Sequence, residues 1–306
     1  LKDALKNFSA ITLAILICLI LAWIWLRGRA LAQPIKKPME HPFLSFLTSQ
    51  TGPTIVAHRG GWNERPENTR AAFEHAANLD PNIVIWADIR PTKDGTLVVF
   101  RDRDLLSTTE TKGWIAYESD AVVFAADPGS RFKNAQGERP YLGQKILTLE
   151  TLLSLFPKHR FVLNFRDYRP GMDETVTRII EAQSASSRVL ITSPEDGFLR
   201  DLREKNPRWI FGTSRAEATR MRMMDSIGLA PVAKLRGDVF VLEAEGNRSA
   251  LRLLSRSIVA EIHRRGMKVI AGPAQETSDF IHLREAGVDA ILTSRPGEAT
   301  TRSAFP

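Results

Sequence analysis

The groups in this chain best suited to chemistry stand where short apolar runs give way to polar residues. The segment Ala57-His58-Arg59-Gly60-Gly61 places a titratable imidazole beside a permanent guanidinium, then two glycines that let backbone approach a ligand closely. Pro66-Glu67-Asn68-Thr69-Arg70 reads as a break that opens a helix, with Asn68 or Thr69 as its N-cap. Asp88 stands near the end of another apolar run and is followed by Thr92-Lys93-Asp94-Gly95, whose residue types suit a tight reversal. Together these runs offer a proton-transfer group and fixed charges, provided the fold gathers them; alone, a histidine in such a place is more often structural. The one cysteine, Cys18, lies in an apolar stretch and excludes both an internal disulfide and a cysteine-based zinc site.

The elements that could gather them begin at residue 54. Short apolar runs at 55–57, 83–89, 97–100, 161–165, 189–192, 209–212, 239–242, 268–271 and 290–293 read as strands. Helix-period segments at 69–78, 149–155, 173–184, 195–205, 216–227, 249–265 and 278–286 lie between them. Nearly continuous apolar strands alternating with helices imply a parallel sheet covered by helices. About eight such units in about 245 residues fit an α/β architecture of the (β/α)8 TIM-barrel type better than an open doubly wound sheet. In that barrel chemistry collects at the C-terminal ends of the strands, where His58, Arg59 and Asp88 fall. No glycine-rich phosphate loop follows any strand, which excludes dinucleotide and P-loop chemistry. The 306 residues are 43% hydrophobic and 25% charged, and the net charge of +7 is spread along the chain instead of gathered in basic blocks, so no nucleic-acid partner is expected.

The apolar surplus is concentrated at one end. Residues 9–26 (SAITLAILICLILAWIWL) carry no charge over 18 positions, long enough to span a bilayer, with Trp23 and Trp25 suited to the interface and Arg27 and Arg29 ending the run. The run exceeds the usual signal-peptide core, so residues 1–32 read as a single-pass membrane anchor; a signal peptide cleaved near Ala30-Leu31-Ala32 is the alternative. Lys2 and Lys6 precede the run, and Arg27, Arg29, Lys36 and Lys37 follow it; this leans toward a cytoplasmic body but decides the side of the membrane poorly. Residues 33–51, with three prolines, read as a linker, 52–298 as the barrel, and 299–306 as a loose tail.

Four stretches in this order, AHRGGWNERPENTRAAF, ADIRPTKDGTLVVFRDRDLLSTT, GERPYLGQKILTLETLL and AGVDAILTSRP, closely resemble the glycerophosphodiester phosphodiesterases of the phospholipase-C-like barrel group. The resemblance implies a TIM barrel, one Ca²⁺ or Mg²⁺ ion held by carboxylates, and two histidines acting as general acid and base on a phosphodiester. Carried over residue by residue, it matches the first histidine to His58 and the phosphate-contacting arginine to Arg59, and makes Asn68 a candidate ligand contact. The family's Glu-x-Asp metal pair becomes Trp86-Ala87-Asp88, which leaves Asp88 as the one metal carboxylate. The second histidine, in a His-Asp pair, becomes Arg101-Asp102, and the Asn-x-Glu-x-Lys pattern becomes Asn164-Phe165-Arg166-Asp167-Tyr168. The family's Trp-Thr-x-Asn and Thr-Asp become Ala271-Gly272-Pro273-Ala274 and Thr293-Ser294.

These departures weigh against the family's reaction. A hard cation needs several oxygen ligands; Trp86 offers none, and Arg166 exchanges attraction for repulsion. Arg101 cannot shuttle a proton near neutrality, and losing one general acid or base costs about 10²–10⁴ in rate. Asp167 is one step from the lost glutamate and so points to the other face of its strand. An inactive relative without a bound cofactor is therefore expected, with an active metal-dependent phosphodiesterase of lipid metabolism as the alternative. In one role Arg59, Arg101 and Arg166 form an anion pocket for a phospholipid head group or a glycerophosphodiester, unless Arg101 and Arg166 pair with Asp88, Asp102 or Asp167 and close the mouth. In the other the barrel is a scaffold within a membrane-protein complex. His75, His159, His263 and His282 are expected at the surface or at helix ends, and the methionines of Met221-Arg222-Met223-Met224 in a core.

Overall fold

The computed structural model describes residues 2–32, 39–47, 52–244, 246 and 248–302. A long helix α1 (Lys2–Leu31) and a short one, α2 (Pro42–Phe46), come first. Then follow β1 (Thr54–His58), α3 (Arg70–Leu79), β2 (Val84–Pro91), β3 (Leu97–Val99), α4 (Asp120–Ala125), α5 (Leu149–Leu155), β4 (Arg160–Phe165), α6 (Met172–Ala182), β5 (Val189–Thr192) and α7 (Asp196–Lys205). The chain ends with β6 (Ile210–Phe211), α8 (Arg215–Ser226), β7 (Val239–Glu243), α9 (Arg248–Arg252), α10 (Arg256–Arg264), β8 (Lys268–Ala274), α11 (Thr277–Ala286), β9 (Ala290–Thr293) and α12 (Pro296–Arg302). Eight strands pair in parallel in the order β6-β5-β4-β2-β1-β9-β8-β7, and β3 folds back antiparallel on β2. A parallel bridge between Gly212 and Val239 draws the two edges together into a nearly closed (β/α)8 barrel, the architecture expected from the alternation.

Strand parity decides what fills the barrel, because alternate side chains point to opposite faces. Val56, Val84, Trp86, Val162, Leu190, Ile210, Val239, Val241, Ile270 and Leu292 make the interior cluster. The intervening Ala57, Ile85, Ala87, Phe161, Leu163, Ile191 and Phe211 pack outward with helix residues such as Phe73, Leu152, Val176 and Phe198. Extending the inward set by two residues brings His58, Asp88 and Glu243 to the mouth, and by four, through Asn164, brings Arg166 there, above Trp86 and Asn164. Strand pairing sets His58 beside Trp86 and Asp88 beside Asn164.

Three expectations need correction. Within the 33–51 segment read as a linker, the described residues 39–47 do more: Phe43, Leu44 and Leu47 are buried and join the interior cluster, closing the barrel at the N-terminal ends of its strands, while 33–38 and 48–51 lie outside the described residues. His41 fixes this plug, its Nδ1 accepting from the Phe43 N–H (3.2 Å) and its Nε2 lying 3.2 Å from the Ser186 carbonyl. Three apolar side chains so close in sequence bury together because the open barrel end offers the apolar surface they need. The helix expected over 249–265 is two, broken where the Ser255 hydroxyl caps α10 by accepting from Ile258 N–H. The loose tail begins inside α12, whose Gly297 N–H donates to Glu64 at 3.0 Å; residues 303–306 lie outside the described residues.

Within α1, Ile11–Leu31 has a mean hydropathy of 2.2, is unburied, and is long and apolar enough to cross a membrane. Near its end Trp23 Nε1 donates to Ile227 O (2.8 Å) and Arg27 to Gly228 O (2.6 Å). These carbonyls lie in the connection entering β7 at its N-terminal end, so α1 meets the barrel opposite the mouth. Lys36 and Lys37, counted above for orientation, lie outside the described residues.

Candidate functional site

The turn after β1 builds one side of the mouth. His58 is fully buried, packs edge-on against Trp86 (centroids 5.7 Å apart, planes at 85°) and holds Nε2 3.4 Å from Glu243 Oε1. Arg59 and Asn68 adopt left-handed backbone with φ of 54° and 56°, at a cost of about 1–3 kcal/mol each, strain of the kind that clusters at functional sites. Between them Gly60 has φ of 78°, and a Cβ there would stand 2.6 Å from that of Ala72, so only glycine lets the turn lie on α3. Asn68 accepts the Asp88 backbone N–H on Oδ1 (3.2 Å), tying this turn to β2. Thr69, not Asn68, caps α3, accepting from Ala72 N–H. Arg59 pairs with Glu67 at 2.7 Å and lies over the Trp62 ring. Burial pushes the Glu67 carboxyl above its ordinary value, with Arg59 pulling the other way.

Asp88 is the hub of the other side. It is fully buried, and its Oδ1 accepts from Asn164 Nδ2 (2.7 Å) and Trp86 Nε1 (3.2 Å) and forms an ion pair with Arg166 Nε at 3.0 Å. The other two guanidinium nitrogens of Arg166 reach Glu243 at 3.3 and 3.4 Å. Arg166 therefore joins two carboxylates, and Glu243 joins Arg166 to His58. Arg101 pairs with Asp102 (2.9 Å), and its carbonyl accepts from Arg90 Nε (2.6 Å). Asp167, two residues past the end of β4, pairs with Arg90. Burial lowers the Arg90 guanidinium while Asp167 opposes the shift.

Of the two arrangements weighed for these arginines, the paired one describes Arg101 and Arg166, which meet Asp102 and Asp88, while Arg59 pairs with Glu67. Glu243 escaped the sequence reading, which ended its strand at residue 242; inward parity two positions past Val241 is the signal that finds it. The pairing role of Glu67 was hidden behind its place at a helix entrance. His263 is exposed and His75, His159 and His282 are half-buried; His75 and His263 rest on carboxylates, 2.7 Å from Glu64 and from Asp289.

The residues present do not fit a divalent cation. Such an ion needs several oxygens at about 2.0–2.6 Å. Asp88 Oδ1 is already surrounded by three nitrogens, Trp86 fills the layer beneath, and the Arg166 guanidinium stands between Asp88 and Glu243. Of the two Asp88 carboxylate oxygens only Oδ2, buried, is left without a hydrogen-bond partner. Among the described residues no three His, Cys, Asp or Glu side chains gather as a metal site.

Comparison with known proteins agrees with this architecture. Residues 58–298 match the model of the glycerophosphoryl diester phosphodiesterase family. A glycerophosphodiester phosphodiesterase of Caldanaerobacter subterraneus subsp. tengcongensis is 27% identical over 247 residues, covering 79% of this chain and 94% of its own. One of Bacillus subtilis is 27% identical over 253 residues, covering 79% and 83%. Among solved structures, an Oleispira antarctica phosphodiesterase in complex with the product sn-glycerol-3-phosphate superposes with a TM-score of 0.64 at 20% identity, covering 82% of this chain and 96% of that one. A glycerophosphodiester phosphodiesterase from Agrobacterium tumefaciens gives 0.64 at 18% identity, covering 81% and 99%.

Proposed function

Since the chain belongs to the glycerophosphoryl diester phosphodiesterase family, we propose that it is a membrane-anchored member whose barrel mouth binds a small phosphate ester without hydrolysing it. The observation that carries this reading is Arg166, which lies 3.0 Å from the buried Asp88 and also pairs with Glu243. A guanidinium there supplies fixed positive charge but no water of lowered pKa and no exchangeable coordination site. His58 keeps a carboxylate partner and can hold a proton at Nε2. Cleaving a phosphodiester also calls for a second group that moves a proton, and Arg101 stays protonated.

The attachment of α1 opposite the mouth supports a soluble ester over a lipid held in the same bilayer, and the glycerol phosphate bound by the Oleispira relative suggests the class. The alternative, an active metal-dependent phosphodiesterase, draws on the His58–Glu243 pair. One assay separates them: release of glycerol phosphate from glycerophosphocholine by the full chain, with Ca²⁺ or Mg²⁺, beside His58→Ala. The expected rate equals that of the variant. Metal-dependent turnover abolished by His58→Ala would overturn the proposal and establish the alternative.

A further inference from the structure

Where α1 meets the closed end of the barrel, opposite the mouth, a cleft of about 1030 Å³ opens between them. Leu26, Arg29 and Ala30 form its wall on the helix side; the connection 231–238 entering β7 and the C-terminal ends of α7 and α10 form the other. Seven Lys and Arg side chains line it against two carboxylates, Glu204 and Asp238. Some of that charge is neutralised within the protein, since Arg200 pairs with Asp201, and Arg264 and Arg265 pair with Glu261. Arg29, Arg203, Lys234 and Arg236 have no ion-pair partner among the described residues. Arg203 lies over the Phe211 ring, yet its Nε and one of its Nη atoms are buried without an acceptor. Burial lowers this guanidinium, with Asp238 and Glu217 pulling the other way. Buried guanidinium nitrogens without acceptors are costly, and residues 33–38, which join α1 to the stretch containing Met39 on the cleft wall, hold two lysines and no acid that could relieve them. The missing acceptor therefore comes from outside the chain.

The depth of the cleft along α1 identifies that anion. The apolar span closes with Trp23 and Trp25, side chains that favour the membrane–water interface, and Leu26 to Ala30 follow within about 8 Å at the rise of an α-helix. Trp23 and Arg27 hold the carbonyls of Ile227 and Gly228 at the same level, so the basic cleft stands where phospholipid head groups lie. We infer that this cleft docks the closed end of the barrel onto the head groups of anionic phospholipids in the bilayer that α1 crosses, with Arg203, Lys234 and Arg236 as the cations that meet them. The inference rests on the reading of α1 as a membrane anchor and makes no use of the mouth. Anionic leaflets attract basic clusters beside a membrane span, and guanidinium forks meet phosphate oxygens in bidentate fashion. Leu26 and Ala30 continue the apolar face of α1 into the cleft, a wall suited to the carbon skeleton that joins head group to acyl chains. A second cavity of about 270 Å³ between α7 and α8 shares Arg200, Arg203, Lys234 and Arg236, which extends the basic surface beyond a single head group. A barrel docked this way turns its mouth from the bilayer toward the aqueous phase.

The test is titration of the detergent-solubilised full chain with short-chain phosphatidylserine, short-chain phosphatidylcholine and inorganic phosphate in separate arms, with bound lipid counted by native mass spectrometry. Phosphatidylserine should bind about tenfold or more tighter than phosphatidylcholine, and each cation removed should weaken it about fivefold. Arg203→Ala removes the half-buried cation; Lys234→Gln with Arg236→Gln removes two exposed ones without touching the core. Arg295→Gln, past the C-terminal end of β9 and so on the mouth side, should leave the affinity unchanged. Equal affinity for the two lipids, phosphate bound as tightly as phosphatidylserine, or binding indifferent to both Arg203→Ala and the Lys234→Gln, Arg236→Gln pair would overturn the inference. Alkaline carbonate extraction of membranes holding the full chain separates it from the anchor reading. Retention without a preference for phosphatidylserine refutes the docking cleft alone, whereas release refutes the anchor and the cleft together.

Discussion

Replacing Arg166 by glutamate asks the mouth to exchange its guanidinium for the ligand type a cation would need. In the wild type this side chain lies 3.0 Å from Asp88 and 3.3 Å from Glu243, and Asp88 is fully buried. Removing one partner of a buried ion pair costs about 3–5 kcal/mol. A third carboxylate at about 4 Å adds roughly 4 kcal/mol of repulsion at an effective dielectric of about 20, relieved in part if one group protonates. At about 2–4 °C per kcal/mol for a domain of this size, the lost pair alone should lower the melting point of Arg166→Glu by about 6–20 °C without divalent ions, and whatever repulsion is not relieved adds to this. Three carboxylates around one point suit Ca²⁺, so the ion at about a hundred times its Kd should return about 2.7 kcal/mol to the variant. Thermal unfolding followed by circular dichroism, with and without Ca²⁺, reads both effects. A variant as stable as wild type without the ion would refute the compensating role of Arg166. A wild-type protein that Ca²⁺ stabilises equally would refute exclusion of the cation.

Other consequences follow from the plug and the β1 turn. Phe43 is fully buried at the closed end of the barrel, so Phe43→Ala should cost about 3–5 kcal/mol in urea unfolding; a loss under about 1 kcal/mol would mean the plug is dispensable. Burial holds the His41 imidazole below its ordinary 6.5, against the opposing pull of the Ser186 carbonyl and Asp238. The unfolded chain then takes up this proton first, so the contribution of His41 should be complete above about pH 6.5 and decline as pH falls toward the folded-state value. Urea titrations of wild type and His41→Asn on both sides of that pH should differ in slope on the acid side; a contribution that grows on acidification would contradict this. Gly60→Ala forces a Cβ to within 2.6 Å of Ala72 at a φ of 78°, and the loss of stability should exceed that of Gly95→Ala, where φ is 88° but nothing lies within 4 Å.

Much of this was legible in the sequence because strand parity and helix period are local. The alternation of apolar runs with helical segments foretold the barrel, and the end of β1 and the position of Asp88 foretold two of the mouth residues. The pairing of Arg166 with Asp88 was one of the alternatives that charge left open. Glu243 was missed because a strand's last inward residue is polar and carries no hydrophobic signal. The plug was missed because prolines flank Phe43, Leu44 and Leu47, and only tertiary packing reveals the barrel end they fill.

The most direct measurement is calorimetric titration of the wild-type full chain with Ca²⁺ and with Mg²⁺, beside Asp88→Asn. A mouth neutralised by Arg166 predicts no saturable binding at about millimolar ion, the weak end of biological Ca²⁺ sites. Stoichiometric binding that Asp88→Asn removes would contradict it.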